Sequence, residues 1–118
     1  MVGRAVPWKK IPESLEFALK LRTFWPELTS HYFGTGPELA RIEQRFGGVV
    51  TIHKDLQHPQ IMEWLARSDL TINMSEYETF CIANAEAMLQ RSLLVVKPLA
   101  EYADYLCAGE NCLMVRPG

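Results

Sequence analysis

Two carboxylates and two cations have the residue types and spacing to handle a phosphorylated sugar. Glu78 and Glu86 stand eight positions apart in SEYETFCIANAEAM, residues 75 to 88. Glu78 falls in a loop that leaves an apolar run, and Glu86 falls in the second turn of the helix that follows. The two side chains therefore approach one crevice from different elements. A carboxylate accepts hydrogen bonds from paired hydroxyls such as those of a sugar or ribose. The helix start between them, near Phe80 to Ile82, offers unpaired N–H groups and a positive dipole end to a negative group. The same spacing also fits a solvated helix stripe of Glu86 and Gln90, with Glu78 a plain loop charge. Arg4 and Lys9 flank an earlier loop, where Arg can fork onto phosphate oxygens and Lys supplies a mobile point charge. Lys9 and Lys10 equally fit a solvated helix entrance.

Elements that would position these residues follow from the apolar periods. Helical spacing predicts helices over 13–24, 37–46, 58–67, 80–90 and about 99–107. Short β-branched or apolar runs predict strands over 28–33, 49–53, 69–74, 93–96 and 112–115, with Met1 and Val2 as a first strand. Strands alternating with helices imply a parallel sheet, because parallel neighbours need crossover connections. The expected fold is α/β, a Rossmann-like open parallel sheet of about six strands with helices on both faces. Ligands in such sheets lie at the carboxyl ends of the strands, which points to loops 3–9, 34–37, 53–57 and 75–80.

Composition narrows the class further. The 118 residues suit one domain, 1–118, with 48% hydrophobic and 22% charged residues. The net charge of −2 comes from scattered residues, so nucleic acid is not an expected partner. No apolar run is long enough to span a bilayer and no secretory signal is evident, which makes a cytoplasmic address the expectation. Cys81, Cys107 and Cys112 lack paired spacing and read as buried free thiols. The three histidines complete no metal set, and neither a metal nor a cofactor is expected. The tryptophans read as packing residues. GTG at 34–36 lacks the third glycine of a dinucleotide fingerprint and reads as a tight turn.

Taken in order, the motifs resemble the donor-binding C-terminal domain of family 4 retaining glycosyltransferases, the glycosyl transferases group 1 type with the GT-B fold. VGRAVPWKK is similar to that family's Gly-Arg and Lys opening, and YFGTGPE to its strand and Gly-x-Gly turn. SDLTINMSEYETFCIANAEAM is similar to its acidic residue, seven others, then Glu-Ala-Met; AGENCLMVRPG is similar to its closing segment. The resemblance implies a nucleotide-diphosphate sugar donor and no metal. It places Arg4 and Lys9 on the diphosphate, Glu78 on the transferred sugar and Glu86 on the ribose. Backbone N–H groups at Thr79, Phe80 and Cys81 would complete the phosphate grip, and Leu56 would lie against the base. Glu78, Arg4 and Lys9 are the implied catalytic residues.

The resemblance also implies a missing partner. The acceptor-binding half, usually N-terminal, is not among these residues, so the chain alone is expected to transfer nothing. That half would be supplied in cis or in trans, and the exposed interdomain face could also form a homodimer. Lys54, Cys81, Arg91 and Cys112 stand where the family usually has glycine, and Leu93 where it has proline. Cys81 is expected to restrict backbone approach to a phosphate, and Arg91 and Cys112 to alter the local turn geometry. The alternative to a donor-binding half is a non-catalytic Rossmann-like interaction or assembly module.

Overall fold

A computed structural model describes residues 1 to 116. The closing motif's Pro117 and Gly118 lie outside the described residues. The order is α1 (Ile11–Leu21), β1 (His31–Phe33), α2 (Leu39–Phe46), β2 (Thr51–His53), α3 (His58–Arg67), β3 (Leu70–Asn73), α4 (Ile82–Leu89), β4 (Leu93–Val96) and β5 (Leu113–Met114). The alternation read from the apolar periods is present, and every strand pair is parallel.

The strand count differs from the expected six. The described residues hold five strands in two ladders, β1–β2 and β3–β4–β5. Val2 makes a single parallel bridge to Phe33, so Met1 to Gly3 line β1 without forming a strand of their own. No ladder among the described residues joins β1 to β3.

Alternation along β4 shows how both sheet faces are covered. Leu94 and Val96 pack with Leu65 of α3 and Ala87 of α4, whereas Val95 packs with Ile72 and with Phe17, Ala18 and Leu21 of α1. A strand buried on both faces reads as a continuous apolar run, as LLVV does. Fully burying one such aliphatic side chain contributes about 1.5–3 kcal/mol. A separate cluster of Ile11, Leu15, Tyr32, Ile42 and Phe46 joins α1, β1 and α2. Ser14 links helix to strand, because its hydroxyl accepts from the Met74 N–H at 2.9 Å and donates to the Lys10 carbonyl at 3.2 Å.

Several elements are shorter than expected. The helix predicted over 99–107 contracts to a 3-10 turn at Ala100–Tyr102. Asn111 accounts for this: its side chain accepts from the Cys107 N–H at 2.7 Å and donates to the Tyr105 carbonyl at 2.8 Å. Both backbone groups are thereby diverted from helical pairing. The strand predicted from residue 28 begins at His31, because Leu28 is still in the turn after α1 and donates to the Trp25 carbonyl at 3.1 Å. Of the thiols only Cys112 is buried; Cys81 is half-buried and Cys107 exposed. Trp8 and Trp25 are also exposed, Trp25 with its ring 6.4 Å from that of Phe24, whereas Trp64 packs among the rings of His31, Phe33 and His53.

Two of the four positions where the resembled family usually has glycine keep a left-handed backbone: Cys81, expected to restrict backbone approach, and Arg91, expected with Cys112 to alter the local turn. Cys81 has φ 71° and Arg91 φ 63°, whereas Lys54 and Cys112 do not have positive φ. At the end of α4, Ser92 N–H donates to the Ala87 carbonyl and Arg91 N–H to the Met88 carbonyl. Those paired bonds are the helix-ending arrangement in which glycine is favoured at the Arg91 position. An L-residue there costs about 1–2 kcal/mol, partly offset by the lower unfolded-state freedom of a non-glycine residue. Arg91→Gly is therefore expected to raise stability by about 0.5–1 kcal/mol, read as a higher urea midpoint at unchanged m-value.

Among the described residues no helix is long and apolar enough to cross a membrane.

Candidate functional site

The loop from β3 to α4 is fixed at both ends before it presents any functional group. Asn73, at the end of β3, accepts from the Ser75 N–H at 3.0 Å and donates to Asn84 Oδ1 at 2.9 Å. Asn84 is buried in the first turn of α4 and donates to the Tyr105 hydroxyl at 3.3 Å. Tyr105 in turn donates to the Phe80 carbonyl, and its ring lies 4.4 Å from that of Phe80. Burial pushes the Tyr105 phenol up, so it remains a donor at neutral pH; the Asn84 bond opposes this to a lesser extent.

The same loop is joined to the turn carrying Lys9. Ser75 Oγ and the Glu76 N–H both donate to the Trp8 carbonyl, at 3.1 and 3.0 Å. Pro7 opens the 3-10 turn Pro7–Lys9, which points Lys9 across to Glu78. Lys9 Nζ donates to Glu78 Oε1 at 2.6 Å, and the two side chains are 23% and 5% exposed. A carboxylate with so little solvent requires such a partner.

Glu86 has a partner that the sequence did not point to. Its Oε2 lies 2.8 Å from Nε2 of His58, the first residue of α3. This start is shaped by the Gln57 N–H donating to Gln60 Oε1 at 2.8 Å. Glu86 is 22% exposed and is bonded across to another helix, unlike a residue on a solvated stripe. Half-buried Leu56 lies in the loop two residues before His58.

Arg4 is placed by its neighbours. Ala5 N–H donates to the Thr35 carbonyl at 2.8 Å, Glu38 N–H to the Ala5 carbonyl at 2.9 Å, and the Tyr32 hydroxyl to the Gly3 carbonyl at 2.6 Å. A Cβ at Gly34 would collide with that Gly3 carbonyl, so the GTG turn permits the close approach of the two loops. The Arg4 side chain is exposed, and none of the polar contacts among the described residues joins it to Lys9 or Glu78.

Cys81 is the residue before α4, and Thr79 and Phe80 beside it are exposed. The left-handed backbone turns the Cys81 sulfur inward, where it accepts from Asn73 Nδ2 at 3.4 Å and packs against the cluster around Leu65 and Leu94. Burial raises its pKa and keeps the thiol protonated, with Glu78 adding in the same direction. The opposing pull of the Asn84 and Ala83 N–H groups and of Lys9 is smaller in sum.

The structure thus brings Lys9 to Glu78 and places Glu78, Thr79, Phe80 and Cys81 on one loop. It sets Glu86 against the start of α3 beside Leu56 and leaves Arg4 on an adjoining loop. Asn73, Asn84, Tyr105 and His58 were not singled out from sequence. Asn73 and Asn84 had a readable signal, since each interrupts an apolar run and a buried amide must be paired.

The profile of the glycosyl transferases group 1 family matches residues 1–118, and the chain belongs to that family. Among curated proteins there is no match. The fold is that of solved glycosyltransferase structures. A Staphylococcus aureus TarM variant in complex with Fondaparinux, alpha-GlcNAc-glycerol and UDP is 19% identical, with TM-score 0.83 over 97% of this chain and 24% of that one. The pneumococcal O-GlcNAc transferase GtfA in complex with UDP and GlcNAc is 17% identical, with TM-score 0.83 over 99% and 24%. The catalytic domain of starch synthase IV from Arabidopsis thaliana, bound to ADP and acarbose, is 22% identical, with TM-score 0.72 over 92% and 23%. The chain spans about a quarter of the length of these structures.

The Lys9–Glu78 pair is testable without any ligand. A double-mutant cycle with Lys9→Met and Glu78→Gln is expected to give a coupling of about 1–3 kcal/mol. Additive single effects in urea denaturation would show that the pair contributes nothing to folding.

Proposed function

We propose that this chain is the C-terminal, donor-binding half of a retaining family 4 glycosyltransferase of the GT-B type. It would act in the cytoplasm, moving a sugar from a nucleotide-diphosphate sugar to an acceptor held by a second, N-terminal domain. The observation that carries this reading is the start of α4, flanked by two carboxylates that are each bonded to a basic side chain from another element. Family membership and the site's position beyond the carboxyl end of β3 support it.

In this reading Arg4 and Lys9 hold the diphosphate together with the N–H groups of Thr79, Phe80 and Cys81. The inward turn of the Cys81 sulfur keeps its side chain from filling that space. Glu78 meets the sugar, Glu86 accepts from the ribose hydroxyls, and Leu56 lies against the base. As the bond between the anomeric carbon and the diphosphate breaks, negative charge grows on the leaving phosphate. Cations beside that phosphate stabilise the charge, Lys9 from a position held by Glu78 and Arg4 from an exposed side chain, so the cations of this chain would serve with no metal. Tyr77, Phe80 and Ile82 are 60%, 47% and 68% exposed around the same loop. That apolar surface is where the acceptor domain, or a second copy of the chain, would close the site.

Titration of the chain with UDP, GDP and ADP by calorimetry, with and without EDTA, tests the reading. One nucleotide is expected to bind saturably and independently of EDTA, with affinity at least tenfold weaker in Arg4→Ala and in Glu86→Ala. No binding, or binding indifferent to both substitutions, would support the non-catalytic interaction module instead.

A further inference from the structure

The peptide that enters α4 is held in an orientation that its own residues do not favour. Cys81 has φ 71° and ψ 83°, in the left-handed region where a side chain with a Cβ is disfavoured. Rotation about that φ sets the plane of the Phe80–Cys81 peptide relative to the helix. Local sterics alone would swing the plane toward negative φ. Asn73 Nδ2 holds the Cys81 sulfur at 3.4 Å from inside, which places the residue and leaves the peptide plane free.

Tyr105 supplies the partner that the plane needs. Its hydroxyl donates to the Phe80 carbonyl and accepts from Asn84 Nδ2 at 3.3 Å. Asn84 is 1% exposed in the first turn of α4, and Asn73 Nδ2 donates to its Oδ1 at 2.9 Å. One hydroxyl thus spans from the body of the helix to the peptide in front of it. Tyr105 is itself confined by the Phe80 ring at 4.4 Å, by the Tyr102 ring edge-on at 6.0 Å, and by Asn111 Nδ2 donating to its carbonyl at 2.8 Å.

This bond decides what the other side of the peptide presents. No peptide bond among the described residues is cis, and in a trans peptide the C=O and N–H point in opposite directions. With the Phe80 carbonyl turned to Tyr105, the Cys81 N–H faces away from it. Among the described residues none of the N–H groups from Thr79 to Ile82 donates a hydrogen bond. A swing of the plane would turn the Cys81 donor elsewhere.

We propose that Tyr105 is a positioning residue for the diphosphate: by holding the Phe80 carbonyl it keeps the Cys81 N–H aimed at the phosphate, although Cys81 carries a side chain at positive φ. The proposal rests on the donor-binding reading of the start of α4. Tyr105 touches no substrate and acts through the peptide alone.

The probes are the nucleoside diphosphate that the chain binds and its parent nucleoside, each titrated into the isotope-labelled full chain. Tyr105→Phe keeps the ring and removes only the hydroxyl. It is expected to shift the Cys81 amide resonance of the free chain and to weaken the diphosphate about tenfold, with the nucleoside changed by less than about twofold. In a Cys81→Gly background positive φ carries no penalty, so the same substitution is expected to cost the diphosphate no more than about threefold. Tyr102→Phe is the control, because the buried Tyr102 hydroxyl has no hydrogen-bond partner among the described residues. It is expected to leave both affinities within about twofold.

Equal losses for diphosphate and nucleoside in Tyr105→Phe would make Tyr105 a packing residue and overturn the proposal. So would a loss undiminished in the Cys81→Gly background, or the same selective loss in Tyr102→Phe. Diphosphate binding that Tyr105→Phe leaves unchanged would overturn this proposal alone. A wild-type chain that binds no nucleoside diphosphate would overturn the donor-binding reading and this proposal with it.

Discussion

The hydrogen bond from Asn73 to Asn84 is the constraint on which the site depends. It joins the end of a buried strand to the first turn of the helix that carries Glu86. The two amides are eleven positions apart in sequence, and the loop between them carries Glu78. With both ends tied, the loop has few arrangements left, and Ser75 and Glu76 select one by bonding to Trp8. Lys9 is one residue past that anchor. Its charge is thus positioned by backbone bonds, and the flexible side chain has little distance left to cover.

Electrostatics then determine what the site can exchange. Glu78 is nearly out of solvent and is matched by Lys9, whereas Glu86 is matched by a His58 side chain that is 69% exposed. Breaking the first pair leaves a poorly solvated charge behind; breaking the second leaves an imidazole in water. A polyol can therefore displace His58 from Glu86 at lower cost than any group can displace Lys9 from Glu78. A phosphate that approaches Lys9 gains most by sharing its remaining N–H donors while Glu78 stays in place. The two carboxylates consequently have different characters, one held inside the fold and one available at its edge.

Much of this was legible in the sequence, for local reasons. The helix at 58–67 and the strand at 93–96 fall where periodicity placed them, because a proline near the helix start and an unbroken apolar run mark them without tertiary help. The two carboxylates stood out as candidates by type and spacing, which fitted a solvated stripe equally. His58 did not stand out, since its pairing with Glu86 spans 28 residues and arises only when α3 and α4 pack. Asn111 was missed for a similar reason: nothing local shows that its amide will terminate the turn after Tyr102. Cys81 and Arg91 show a different limit. Periodicity does not reveal backbone sign, so their left-handed geometry became visible only in the structure.

The most direct measurement of the central claim is the amide spectrum of the chain during titration with the nucleotide that binds. The start of α4 as the anion-facing element predicts that the largest amide shifts fall at Thr79 to Ile82, with side-chain changes at Lys9 and His58. Shifts confined to the far ends of the helices would contradict it.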